Sequence, residues 1–164
     1  MRAIQELYPE DFSYCYGCGR LNEHGLHVRS EWHDGEAVAR FRPAPHHIAL
    51  PGYVYGGLIA SLIDCHAMGA AAAAAMVAAG QQPGRDPSHR FVTASLHVDY
   101  LRPTPLGPEL LLRARPVEVG ERKVVVEVSL VAEAAECARG RVVAVRMPAR
   151  MAAAGAGGGG ADQR

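Results

Sequence analysis

The chain has 164 residues, with 17 Lys and Arg against 17 Asp and Glu, so its formal net charge is zero. That size fits one ordinary domain, and the balanced charge removes the electrostatic ground for a nucleic-acid or anionic-membrane partner. The apolar fraction of 49% is inflated by 28 alanines, six of them in the run Ala70–Ala75. The larger apolar side chains that remain suffice for one core, which excludes whole-chain disorder and a multi-domain assembly.

The first fifteen residues carry acidic side chains and no apolar stretch, unlike a secretory signal. With only Cys15, Cys18, Cys65 and Cys137 in the chain, a disulfide framework is not expected, and a reduced, cytoplasmic protein is. Residues 1–24, rich in aromatics and turn formers and holding Cys15-x-x-Cys18, read as an arm laid over the domain. Gly25 to Trp32 and Glu36 to Phe41 read as strands around the turn Asp34-Gly35, and Pro43 and Pro45 stop the second.

Gly56 to about Ala79 has the length and alanine content of a helix, roughly 36 Å long, closed by Gly80. A hydropathy scan of Leu58 to Ala79 suggests a membrane span, but Asp64 and His66 inside it are costly in lipid. A helix buried in protein is the better reading. After a Pro/Gly loop over 81–88, Phe91 to Leu101 alternates with period two. That places Val92, Ala94, Leu96, Val98 and Tyr100 on one face, and Thr93, Ser95, His97 and Asp99 on the other.

Glu109 to Val119 and Lys123 to Ala132 form a hairpin joined at Gly120-Glu121-Arg122. A last strand, Arg141 to Met147, follows a turn at Ala138–Gly140, and residues 149–164 form an Ala/Gly-rich tail expected to be disordered. Two strands, one helix apolar nearly all round, then four strands describe an α+β domain over 25–148. A curved antiparallel sheet wrapped around one long central helix, the hotdog architecture, covers such a helix economically.

Within this frame the informative segment runs from His47 to Asp64. Adjacent glycines at a helix start let a ligand or another backbone approach N–H groups that lack intrahelical acceptors and carry the positive end of the dipole. Such a terminus stabilises an oxygen on which negative charge develops, although most Gly-Gly pairs serve close packing or capping. Asp64, two turns further on among apolar neighbours, is either a carboxylate meeting a strand or solvent, or a catalytic base or nucleophile held in a cleft.

Pro51-Gly-x-Val-x-Gly-Gly-Leu-Ile-Ala-x-Leu-Ile-Asp64 resembles the hotdog-fold acyl-CoA thioesterases of the phenylacetate-degradation (PaaI-like) family, with Asp64 seven positions after Gly57. Val92-Thr93 through Arg102-Pro103 is similar to that family's Ser/Thr-bearing strand. Cys15-x-x-Cys18-Gly19-x-x-Asn22-x-x-Gly25-Leu26 is similar to the N-terminal segment of one of its branches. The resemblance covers roughly residues 12–148. It implies hydrolysis of an acyl-CoA to free acid and CoA, with Asp64 as general base or nucleophile, the Gly56 N–H polarising the carbonyl, and Thr93 holding the water or the carboxylate.

It further implies no cofactor, and a homodimer or homotetramer with the site at a subunit interface. Gly57, Tyr55, His47 and Arg102 are the candidate substrate contacts, with Arg90, Arg122 and Lys123 as further cations for the CoA phosphates. Two positions depart from the family pattern. Tyr55 stands where a histidine is usual, a phenol in place of an imidazole, and Ala49 stands where some members carry an amide. A non-catalytic acyl-CoA-binding or sensing protein is therefore the alternative. A Ser–His–Asp hydrolase is rejected for want of a G-x-S-x-G elbow. Cys15 and Cys18 with His24 and His27 are spaced more tightly than common zinc fingers, so no metal is assigned and the thiols are read as packed.

Overall fold

The computed structural model describes residues 2–83 and 89–151. Its strands are β1 (Glu31–His33), β2 (Glu36–Phe41), β3 (Ile48–Leu50), β4 (Tyr53–Val54), β5 (Phe91–Tyr100), β6 (Leu110–Val119), β7 (Lys123–Ala132) and β8 (Ala135–Arg146). The helix α1 spans Gly56–Ala78. Six strands form one antiparallel sheet in the order β1-β2-β6-β7-β8-β5, and β3 and β4 form a small separate hairpin. This is the hotdog architecture expected from the pattern. Of the tail, residues 149–151 make a short helical turn, and the disorder expected for 152–164 lies outside the described residues.

α1 packs across β2 and β5 to β8. Leu62 and Ile63 are fully buried, and each of Ala70 to Ala75 is at most 7% exposed, because small side chains let the sheet close on the helix. By length and composition α1 could cross a membrane, but 72% of that span is buried by the chain itself. The helix ends where Gly80 takes φ +71°. There the Gln81 N–H donates to the Met76 carbonyl and the Gly80 N–H to the Val77 carbonyl, a Schellman cap.

Three expectations are corrected. The first strand is much shorter than Gly25–Trp32. Residues 25–30 run beside the N-terminal arm, with Leu26 and Val28 N–H groups donating to Tyr16 and Gly17 carbonyls and Ile4 N–H to Ser30. His27, at φ +54°, breaks the pleat. The arm is thus a backbone partner of this segment, and it is further tied down by a buried chain. Gln5 Nε2 donates to Ser30 Oγ, which meets His66 Nδ1 at 2.8 Å, and His66 Nε2 meets the Ala37 carbonyl at 3.1 Å. Burial pulls the His66 pKa down to about 4, so the ring is neutral and structural near pH 7.

The last strand begins at Ala135, because the turn is Glu133-Ala134, both at positive φ as a two-residue hairpin demands. Gly140, read as part of a turn, lies mid-strand. A Cβ there would stand 2.4 Å from Ile63 Cγ2, so the glycine is needed for close approach to α1.

The third correction concerns β5. Thr93 pairs with Ala144 and Ser95 with Val143, leaving Ala94 as the extra residue of a β-bulge. The bulge inverts the alternation. Thr93 shares its face with Val98 and Tyr100, toward α1, where strict period two sets it on the opposite side.

Candidate active site

The turn Pro51-Gly52, with Gly52 at φ +85°, sends β3 back as β4 and delivers the chain to the start of α1. Tyr55 caps the helix by backbone alone, so the first-turn N–H groups at Gly56 and Gly57 keep no intrahelical acceptor. Two tyrosines pack on these glycines. The Tyr100 hydroxyl donates to the Gly56 carbonyl at 2.7 Å, and a Cβ on Gly57 would lie 2.3 Å from Tyr55 Cε1.

His47 sits nearby as a turn-stabilising residue. Its Nδ1 accepts the Ala44 N–H at 3.0 Å, and its carbonyl accepts the Tyr55 N–H. Burial, with His46 beside it, lowers its pKa. His47, Tyr55 and Gly57 line a cavity of about 860 Å³ together with Arg42 and His46. Arg102, past the end of β5, donates to the Glu136 carbonyl at 3.2 Å and lines neither this cavity nor the next.

Asp64 opens on a second cavity of about 420 Å³, walled by Tyr8 and Phe12 of the arm, Met68 of α1, Phe91 of β5, and Met147. Thr93 Oγ1 donates to Asp64 Oδ1 at 2.5 Å. Burial lifts the Asp64 carboxyl above the ordinary aspartate range, while the Thr93 hydrogen bond draws it back and the charge on Cys15 lifts it again. Such a carboxylate, in a mostly apolar cavity, is placed to accept a proton or to attack a carbonyl.

Arg90 also lines this cavity, its guanidinium stacked 4.3 Å from the Tyr8 ring centre and 4.0 Å from that of Phe12. Among the described residues its Nε and Nη2 are buried without a hydrogen-bond partner. Arg90 therefore stands inside, against the arm, and not with the other cations at a rim. The arm brings a further group. Cys15, Cys18 and Cys65 have their sulfurs within 4.8 Å of one another, whereas His27 meets the Asn22 carbonyl instead. Hydrogen bonds from the Cys18 and Cys65 thiols, then from the Cys18 and Gly17 N–H groups, hold the Cys15 thiol far below its usual range. As donors to Cys15, the other two are pushed up.

Of the residues singled out in the sequence, the fold brings Asp64 and Thr93 together, and Gly57, Tyr55 and His47 together elsewhere. Eight residues of helix separate Gly56 from Asp64, about 12 Å along the axis. Within one protomer they do not meet. Sequence reasoning missed Tyr8, Phe12 and Cys65 as cavity walls. The arm meets α1 across some fifty residues of chain, and no local pattern reports such a contact.

The family model described as Thioesterase superfamily matches residues 51–138, more than half of the chain. The chain belongs to the thioesterase superfamily. A thioesterase superfamily protein from Shewanella loihica PV-4 is 49% identical, with a TM-score of 0.65, covering 86% of this chain and 100% of that one. Similar folds at 19% identity include smu.793 from Streptococcus mutans UA159 bound to acetyl CoA (TM-score 0.62, covering 78% and 96%). Another is the E. coli PaaI protein from the phenylacetic acid degradation operon (TM-score 0.61, covering 75% and 81%). Among curated proteins none matches. The superfamily's segment holds α1 and β5 and with them Tyr55, Gly57, Asp64 and Thr93, while His47 and the arm with Cys15 and Cys18 lie outside it.

Proposed function

We propose that this superfamily member hydrolyses an acyl-CoA to the free acid and CoA. The observation that carries the reading is Asp64, a half-buried carboxylate on an apolar helix, hydrogen-bonded by Thr93 at a cavity of acyl-chain size. Asp64 takes a proton from water as the water adds to the thioester carbonyl, or adds to that carbonyl itself. The carbonyl oxygen is met by the N–H groups at the start of α1. Collapse of the adduct expels the CoA thiolate, a good leaving group that needs little acid help. In the water route the proton held by Asp64 returns to the thiolate; in the direct route the acyl anhydride left on Asp64 is cleaved by water to the free acid, which restores the carboxylate and supplies the thiolate's proton.

Because Asp64 and Gly56 of one chain are about 12 Å apart, the two halves come from two protomers related by a two-fold axis. β5 supports this arrangement, since among the described residues it is a sheet edge bonded to β8 alone. Tyr55, Tyr100 and Leu101 stand exposed at that edge and the adjoining helix start. The acetyl-CoA-bound neighbour supports coenzyme A as the thiol.

The test is thiol release across short, medium, long and aryl acyl-CoAs with wild type and Asp64→Asn. Loss of the general base lowers kcat by about 10²–10⁴-fold, and equal rates in the two proteins refute the assignment. One observation favours a second reading, an acyl-CoA-binding protein without turnover: the Tyr55 ring lies over Gly57 and narrows access to its N–H. In that case acyl-CoA raises the Tm and is recovered intact by mass spectrometry.

A further inference from the structure

Cys15-Tyr16-Gly17-Cys18-Gly19 folds into a tight turn closed by the Gly19 N–H donating to the Cys15 carbonyl at 2.8 Å. Both glycines are obligatory. A Cβ on Gly19 would stand 2.4 Å from Cys15 N, and a Cβ on Gly17 2.1 Å from Cys65 Sγ. The turn sets the Cys15 and Cys18 sulfurs within 4.8 Å of each other on one side of the arm. α1 then delivers Cys65 to the same point.

The Cys15 and Cys65 sulfurs are 3.8 Å apart. A tetrahedral ion with metal–sulfur bonds of about 2.3 Å sets its sulfurs about 3.8 Å apart. A disulfide needs about 2.05 Å between two sulfurs and leaves the third thiol over. Cys137 gives the contrast of a buried thiol away from this cluster, donating to the Ala135 carbonyl at 3.5 Å.

We propose that Cys15, Cys18 and Cys65 bind a soft divalent metal ion of the zinc class, its fourth position turned to the cavity these residues share with Asp64. The ligand set differs from the one weighed on spacing alone, since Cys65 replaces both histidines. Three thiolates on a divalent ion carry one net negative charge, and the Arg90 guanidinium in the same cavity offsets it. The ion pins the arm to α1 and so fixes Tyr8 and Phe12 as cavity walls. It does so whether or not the protein hydrolyses thioesters.

The test uses the untagged full chain, purified under reducing conditions without chelator. Elemental analysis returns one zinc-class ion per chain. Cobalt(II) added to the reduced, metal-stripped protein gives thiolate-to-cobalt charge-transfer absorption with tetrahedral visible bands. Cys15→Ser, Cys18→Ser and Cys65→Ser each weaken cobalt binding about tenfold or more in chelator competition, and Cys137→Ser leaves it unchanged. Reduced wild type that is folded by circular dichroism yet gives no charge-transfer band overturns the proposal. So does undiminished binding in Cys65→Ser, or a Cys15–Cys65 disulfide found in place of metal. None of these readouts depends on hydrolysis.

Discussion

Asp64 is the costly residue of α1, because aspartate competes with the helix backbone and its charge resists burial. Thr93 offsets part of that cost with one hydrogen bond and fixes where the carboxylate points. A bond to a charged group at a partly open site is worth about 1.4 kcal/mol, near the low end of such interactions. Thr93→Val is therefore expected to lower kcat/KM about tenfold and the Tm by no more than a few degrees, since Thr93 is exposed. An unchanged rate would mean that Asp64 is positioned by something else. His66, two residues on, is a foil to Asp64. Both of its nitrogens are satisfied by Ser30 and Ala37, and it has no part in the cavity.

Whole elements are aimed by small irregularities in the sheet. The extra residue at Ala94 turns Thr93 toward α1, while β8 brings Gly140 under Ile63 so that helix and sheet can touch. Gly140→Ala forces a methyl group into Ile63. It is expected to destabilise the fold by about 1–3 kcal/mol in urea unfolding, as overpacked cores do. Ile63→Ala removes the Cγ2 methyl that the new Cβ would meet, so the double variant should be more stable than the sum of the two losses. Strict additivity would show that Gly140 and Ile63 do not compete for that space. The sequence carried the signal that a glycine mattered here, but a turn and a close approach look alike until the partner helix is in place.

At the scale of the whole molecule, the proposed site joins two ends of a helix segment, Gly56 and Asp64, that lie about 12 Å apart along the axis of one chain. A two-fold dimer through the β5 edge makes a specific expectation. Gly57→Val, which crowds the helix start, and Asp64→Asn, which removes the carboxylate, are each inactive alone. Refolded together in equal amounts, they form mixed dimers in which one site carries both defects and the other carries none. About a quarter of wild-type activity returns. No recovery, with mixed dimers demonstrated by native mass spectrometry, would place the whole site within one chain.

The helix over residues 56–78, the β6–β7 hairpin and the central position of Asp64 follow from local pattern, because apolar periodicity, alanine content and turn chemistry act over a few residues. Those are the parts legible in the sequence. The bulge at Ala94, the turn at Glu133-Ala134 and the strand position of Gly140 depend on which strand lies alongside. Alternation and glycine content alone pointed to the wrong face and the wrong turn. The meeting of Cys15 and Cys18 with Cys65, and of Arg90 with Tyr8 and Phe12, joins segments some fifty to eighty residues apart. The sequence by itself determined the architecture and the one carboxylate at its centre, since both are written in local spacing. Only the tertiary structure decided what surrounds that carboxylate, because contacts between distant segments are set by packing and leave no period along the chain.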